Sequence, residues 1–345
     1  MPANGTPLRV FLTKPCGVCA GVRRAAETVE RALAVYGPPV YVRHEIIHDR
    51  HVVDGLRARG AVFVDDLAEV PDGALVVFGA HGVAEDIEHD CERRGHDVVD
   101  ATCPLVLKLH KEARRFAERA YDVVLIGRPG DDEVEGIASR IPGRVHVVSQ
   151  VADVGRLEVA DPARVACIMQ TTLGGVDTQD IVAALKHRFP RLAAPDGDAC
   201  SAVHDRQKAA LRLARRVEAV FVVGTSSSTT TRRLTEIVAA SGVPTRLVET
   251  AAAIDPAALD GLTTVGLAAG PSTPDALIEA VLARIKALRA VELDVLDGPE
   301  EHVRFRLPSR LRHAGERPQA AGPSSGYPGP GGAPLGRGAA LSQDR

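Results

Sequence analysis

Apolar residues recur at intervals of three and four in three stretches of the chain, and each stretch begins at a cysteine. After Cys19 they are Val22, Ala25, Ala26, Val29, Leu33 and Tyr36. After Cys103 comes Pro104, suited to a first helical position, then Leu105, Leu109, Ala113 and Phe116. After Cys200 they are Val203, Ala210, Leu213, Ala214 and Val217. This spacing gathers apolar side chains on one helix face and predicts three amphipathic helices. Each leads into a short apolar strand ending in a polar loop, in PVYVRHEIIHD, DVVLIGRPGDDE and AVFVVGTSSSTT. A second helix and strand follow, the strands being AVFVDD, RVHVVSQ and PTRLVET. A third strand then runs into another small or polar loop, in ALVVFGAHG, RVACIMQTT and TTVGLAAGPS. A last helix completes each unit near 83–95, 174–189 and 273–288.

The three units read as a weak internal repeat. Cys19 to His48 is 29 residues, Cys103 to Asp131 is 28 and Cys200 to Ser228 is 28. The loops after the third strands place His81, Thr171 and Ser272 at 62, 68 and 72 residues from their cysteines. Strands alternating with helices argue for parallel sheets. The expected fold is therefore α/β, with three similar parallel-sheet lobes arranged with pseudo-threefold symmetry around a central site. The lobes are expected over 8–100, 101–197 and 198–290, with 291–310 an extended segment packed on the body. From Pro308 the chain turns rich in Gly and Pro and poor in branched apolar residues. Such a stretch cannot bury enough surface to offset chain entropy, so 311–345 reads as a disordered tail. Ligands in open parallel sheets bind at the carboxyl ends of strands. In each lobe that edge carries one Cys and two polar loops.

Composition narrows the function classes. The chain has 345 residues, 45% hydrophobic and 25% charged, which is ordinary for a globular protein. A net charge of −3 lacks the basic excess of a nucleic-acid binder. No run approaches the roughly 18–20 apolar residues of a membrane span, and the start MPANGTPLRV shows no secretory signal. A cytoplasmic location is expected. Six cysteines are too few for a disulfide scaffold, so a reducing compartment is expected and each thiol needs its own account.

Three thiolates meeting at one point suggest a metal site. Structural zinc and cubane clusters usually take four protein ligands. With three, a 4Fe-4S cubane keeps one iron free of protein, open to a substrate oxygen. Cys16 and Cys19 form a C-x-x-C, read either as a redox dithiol or as a ligand with a mere neighbour. Cys91, in EHDCERR, and Cys167, in RVACIM, are expected to have no cluster role. His48 and His81 can carry charge or donate hydrogen bonds. The run Ser226–Thr231 offers hydroxyls and N–H groups suited to a phosphate or diphosphate, although such runs more often simply cap helices. Glu133 and Glu135 in DDEVEG are proton-donor candidates beside a cluster, or else a solvated acidic helix start.

At these residues the chain resembles the 4-hydroxy-3-methylbut-2-enyl diphosphate reductase family, the terminal iron–sulfur enzymes of the methylerythritol phosphate route to isoprenoids. The likeness spans about Leu8 to Leu311 and rests on CAGVRRAAETVERAL, YVRHEIIHDRHVVDGLRARGAVFVDDLAEVPDG, AHGV, DATCPLV, EVEG, QTTL, DRQ and EEHVRFRLPSRL. It implies a 4Fe-4S cluster on Cys19, Cys103 and Cys200. It implies a two-electron, two-proton removal of an allylic hydroxyl, giving isopentenyl and dimethylallyl diphosphate. The substrate hydroxyl would meet the open iron, Glu133 would relay the proton with Thr171 beside it, and His48, His81, Ser228, Thr229 and Ser272 would hold the diphosphate. A ferredoxin or flavodoxin would supply electrons.

The chain departs from the family pattern on its ligand-facing loops. GDDEVEG stands where the family has GHPEVEG, so Asp131 replaces a histidine and Asp132 a proline. Thr230 stands for Asn, Val203 for Thr, and Cys16 for Arg or Tyr. A carboxylate at 131 repels a diphosphate unless protonated or turned away. Two alternatives to the family activity are a reductase of another allylic substrate and a cluster-bearing sensor without turnover. A zinc site would lack a fourth protein ligand.

Overall fold

The computed structural model describes residues 7–47, 49–194 and 200–312. The expectation for His48, and that for the tail from residue 313 on, lie outside the described residues, whereas 311 and 312, expected to begin the tail, instead end a short helix whose Leu311 is fully buried in the core around the first sheet. The first stretch holds β1 (Leu8–Leu12), α1 (Ala20–Tyr36), β2 (Val40–Arg43), α2 (Arg50–Ala58), β3 (Ala61–Val64), β4 (Leu75–Phe78), α3 (Glu85–Arg93) and β5 (Asp97–Asp100). The second holds α4 (Pro104–Glu118), β6 (Asp122–Ile126), α5 (Asp132–Ala138), β7 (Val145–Val148), α6 (Val151–Val154), β8 (Val165–Met169) and α7 (Gly175–Arg188). The third holds α8 (Ala202–Ala214), β9 (Ala219–Val223), α9 (Thr229–Ala239), β10 (Thr245–Val248), β11 (Thr264–Ala269), α10 (Asp275–Leu288), β12 (Val291–Val295) and α11 (Ser309–Arg312).

These strands form three wholly parallel sheets, ordered β3-β2-β4-β5, β7-β6-β8 and β10-β9-β11-β1-β12. Each contains the same three-strand unit, with the strand after the cysteine-led helix in the middle. In the second and third sheets that strand, β6 and β9, is buried along its whole length. This fits the continuous apolar runs VVLI and AVFVV, since a strand covered on both faces needs no polar alternation. Helices pack on the sheets through the apolar faces read from the sequence: Ala25, Ala26, Val29 and Leu33 of α1 are all buried in one core cluster.

The outer strand of each unit has a further neighbour of a different origin. β5 lies beside β4, an isolated parallel bridge at Ala193 lies beside β8, and β1 lies beside β11. The stretch 8–100 therefore divides between two sheets. Leu8–Leu12 completes the third sheet, with Leu8 paired to Val291 and Arg9 to Thr264. The segment from 291 opens with β12, the parallel edge strand beside β1. Among the described residues, no helix is long and apolar enough to cross a membrane.

Candidate active site

The carboxyl ends of the strands and the starts of the three cysteine-led helices converge on a cavity of about 340 Å³. Cys19, Cys103 and Cys200 all line it. Cys19 and Cys103 are the N-caps of α1 and α4, and Cys200 stands one residue before Ser201, the N-cap of α8. The Cys19 sulfur accepts a hydrogen bond from the Val22 amide at 3.5 Å. Burial, helped by Cys19 and Glu133, pushes the Cys103 thiol up to about 11, and burial, helped by Cys19, Cys103 and Glu133, pushes the Cys200 thiol up to about 12. All six cysteines are free.

Gly21 shows why small residues crowd this point. A Cβ there would sit 2.6 Å from the Cys103 sulfur and 3.9 Å from the Cys19 sulfur. The bare glycine backbone thus leaves room that two thiols face. Among the described residues no three His, Cys, Asp or Glu side chains close on a single metal ion. All three thiols line the same cavity, and no fourth cysteine of the described residues joins them there. Soft sulfur donors, three in number with an open side, fit a 4Fe-4S group with one iron left unligated by protein.

The remaining cysteines lie elsewhere. Cys91 is fully buried under the first sheet and Cys167 belongs to the core of the second. Cys16 packs against the core of the third sheet and does not line the cavity. Its thiol is pushed up to about 11 by burial. Of the two readings of the C-x-x-C, the arrangement favours a ligand with a packed neighbour.

Glu133, in the first turn of α5, is 1% exposed. Its Oε1 accepts from the Thr171 amide at 2.6 Å, and its Oε2 meets the Thr171 hydroxyl at 2.8 Å. Burial outweighs these bonds and, with the Asp131 carboxylate nearby, pushes the carboxyl up to about 7. It therefore holds a proton near neutrality, as a general acid must. Glu135, two residues on, is exposed and away from the cavity; there the reading as a solvated acidic helix start describes it.

The third lobe supplies a hydroxyl network. Ser228, the N-cap of α9, accepts from the Thr231 amide at 3.3 Å. Its hydroxyl also meets those of Thr230 and Ser272, each at 3.1 Å. Thr229 and His81 line the same cavity. Val203 lies on its wall and presents an apolar side chain.

Asp131 also lines the cavity, but its carboxylate is engaged: Gln170 donates to Oδ2 at 2.7 Å. Gln170 is positioned in turn by accepting from the Arg128 amide at 3.0 Å. Asp132 bonds the His44 ring at 2.6 Å and lies 3.7 Å from the Arg43 guanidinium, both from the first sheet. Burial alone would raise the Asp132 carboxyl, but the His44 bond and the charges of His44, Arg43 and His81 override it and hold it below the usual range. His44 itself has a φ of 56°, a left-handed conformation uncommon for a non-glycine residue. Sequence reasoning missed His44 and Gln170 as parts of the site. Their only signals were position, one at the end of a strand and the other immediately before Thr171.

Fold and site together define a three-lobed α/β protein whose lobes close on a thiol-lined central cavity holding a buried acid. The chain belongs to the LytB family: the family model described as LytB protein matches residues 10–286. A relative from Aromatoleum aromaticum, named 4-hydroxy-3-methylbut-2-enyl diphosphate reductase, is 47% identical over 304 residues, covering 88% of this chain and 97% of the relative. A relative of the same name from Zymomonas mobilis is 46% identical over 307 residues, covering 89% and 90%. The solved structure of the E-1-hydroxy-2-methyl-but-2-enyl-4-diphosphate reductase from Plasmodium falciparum superposes with a TM-score of 0.82 at 31% identity, covering 89% of this chain and 98% of that one.

Proposed function

We propose that this chain is an iron–sulfur oxidoreductase that removes the allylic hydroxyl of 4-hydroxy-3-methylbut-2-enyl diphosphate. The reaction takes two electrons and two protons and yields isopentenyl and dimethylallyl diphosphate and one water. The carrying observation is the single cavity lined at once by Cys19, Cys103 and Cys200, the buried acid Glu133 and the hydroxyl network of the third lobe. Cys19, Cys103 and Cys200 are the residues that would hold a 4Fe-4S cluster. When bound, that cluster supplies the electrons and a Lewis-acid position for the substrate oxygen.

The chain's own groups account for binding and proton delivery. Ser228, Thr229, Thr230, Ser272 and His81 receive the diphosphate through hydroxyl and imidazole donors. His48 belongs with them by its place in the sequence. The Thr171 amide always donates to Oε1 of Glu133, so the acid proton sits on Oε2. The Thr171 hydroxyl donates to the ionised Oε2; with Oε2 protonated that bond reverses, and Thr171 turns its own proton toward the departing hydroxyl of the substrate. Glu133 and Thr171 thus form a two-member relay that releases water. Gln170 draws the Asp131 carboxylate aside, which lessens its repulsion of the diphosphate. A ferredoxin or flavodoxin delivers the electrons, and the reaction runs in the cytoplasm.

The test is anaerobic turnover with reduced ferredoxin as donor and chromatographic detection of both five-carbon products. Product formation that falls steeply in Glu133→Gln supports the proposal. A cluster-loaded wild-type chain that leaves the substrate unchanged contradicts it.

A further inference from the structure

Beyond β12 the chain passes back to the starts of α1 and α8, where two buried arginines meet it. Arg24, on α1, is 7% exposed, and Arg206, on α8, is 2% exposed. Arg24 donates from Nε to the Arg306 carbonyl at 2.8 Å. Its Nη1 donates to the carbonyls of Ala101 at 2.9 Å and Thr102 at 3.0 Å, the two residues before Cys103. Arg206 donates from Nε to the Gly17 carbonyl at 2.8 Å, two residues before Cys19. Its Nη1 also reaches the Ala202 carbonyl at 2.9 Å, two residues after Cys200. Each guanidinium therefore joins a C-terminal residue to backbone that carries a cavity thiol.

The two differ in charge balance. Arg206 forms a two-pronged pair with Glu301, both bonds being 2.7 Å. Arg24 donates only to carbonyl oxygens, and no carboxylate of the described residues lies within ion-pair distance of it. Asp100 and Cys103 act on it at longer range. A positive charge buried without a partner favours adding an electron nearby, because the local dielectric is low.

We propose that Arg24 and Arg206 are positioning residues for the group held by the cavity thiols, and that the unneutralised charge of Arg24 raises its reduction potential. This rests on the reading of the three thiols as cluster ligands. The two charges then act with opposite sign under mutation. Removing Arg24 makes reduction harder. Removing the charge of Glu301 frees that of Arg206 and makes reduction easier, by less, because Glu301 is partly exposed.

The experiment uses anaerobically reconstituted full-length chains. It reads the midpoint potential by redox titration and the rate of iron loss to a chelator. Arg24→Met is expected to shift the reduction equilibrium about tenfold against the reduced form, about 59 mV more negative for one electron. Glu301→Gln is expected to shift it the other way. Arg24→Lys keeps the charge and the potential, but loses iron faster, because an ammonium cannot reproduce the three-carbonyl fork. Arg31→Met is the control: Arg31 also sits on α1 and donates to the chain's C-terminal part, at the Leu311 carbonyl, but stands seven residues farther from Cys19 than Arg24 does. It should change neither reading. Arg24→Met with wild-type potential and iron loss, or shifts of the same sign in Arg24→Met and Glu301→Gln, overturns the proposal. If Arg24→Met does not fold, Arg24→Lys with wild-type iron retention or Glu301→Gln with unchanged potential overturns it equally. Wild-type protein that takes up no iron overturns the cluster reading itself, and this inference with it.

Discussion

The acidic loop of the second lobe and the hydroxyl loop of the third occupy equivalent places, at the ends of β6 and β9 and the starts of α5 and α9. Asp131 and Ser228 are the two N-caps. Ser228 caps its helix through the Thr231 amide and still offers its hydroxyl to Ser272. Asp131 makes no side-chain cap bond, and the Gln170 amide holds one of its oxygens. The repeat therefore fixes where a side chain stands, and the neighbouring strand end decides what it can do. On one side the neighbour is Ser272, which extends a neutral donor network. On the other it is Gln170, which restrains a charge.

The largest expected effect lies at the acid beside both loops. Glu133→Gln keeps the shape of the side chain but removes the proton, so kcat should fall by about 10²–10⁴ with KM little changed. Steady-state kinetics check this. The pH profile sharpens it. The Glu133 carboxyl sits at about 7, above its ordinary value, so the protonated form is present in acid and lost as pH rises through about 7. Turnover should decline over that limb. The same sign applies to stability: this group favours the fold most in acid, and its contribution fades between the ordinary carboxyl range and about 7.

Asp131→His comes next, since it replaces a repelling charge with a donor. KM for the diphosphate substrate should fall about tenfold, equivalent to ~1.4 kcal/mol, with kcat nearly constant. An unchanged KM would mean that Gln170 already removes the repulsion completely. Ser272→Ala deletes one bond of the hydroxyl network and should raise KM about two- to tenfold, as for a lost neutral hydrogen bond of ~0.5–1.5 kcal/mol. The smallest effect is expected from Asp132→Pro. Proline suits the first position of α5, and the lost pair with His44 is about one-third exposed on both sides. Chemical denaturation should show a change within about 1 kcal/mol.

Much of the fold was legible because it is local. Cysteine-led helices, short apolar strands and polar loops repeat along the sequence, and the order β3-β2-β4, β7-β6-β8 and β10-β9-β11 follows that repeat. Glu133 and Thr171 were expected side by side from the resemblance, and the two are in hydrogen-bond contact. The place of β1 was not legible, because its partners β11 and β12 lie at the far end of the chain. The partners of Asp131 and Asp132 were hidden for a related reason. A sequence shows two carboxylates beside an expected diphosphate site, but not that Gln170 and His44 reach them from adjacent strand ends. For the same reason the expected repulsion was legible while its restraint was not.

In the proposed enzyme the three helix-start thiols hold one 4Fe-4S cluster in the cavity that Glu133 faces. Iron and acid-labile sulfide analysis of anaerobically prepared protein, for the wild type and Cys103→Ser side by side, tests it most directly. About four iron and four sulfide are expected per wild-type chain, with loss of most of both from the variant. Equal iron content in the two proteins, or a wild type that binds one zinc and no sulfide, would contradict it.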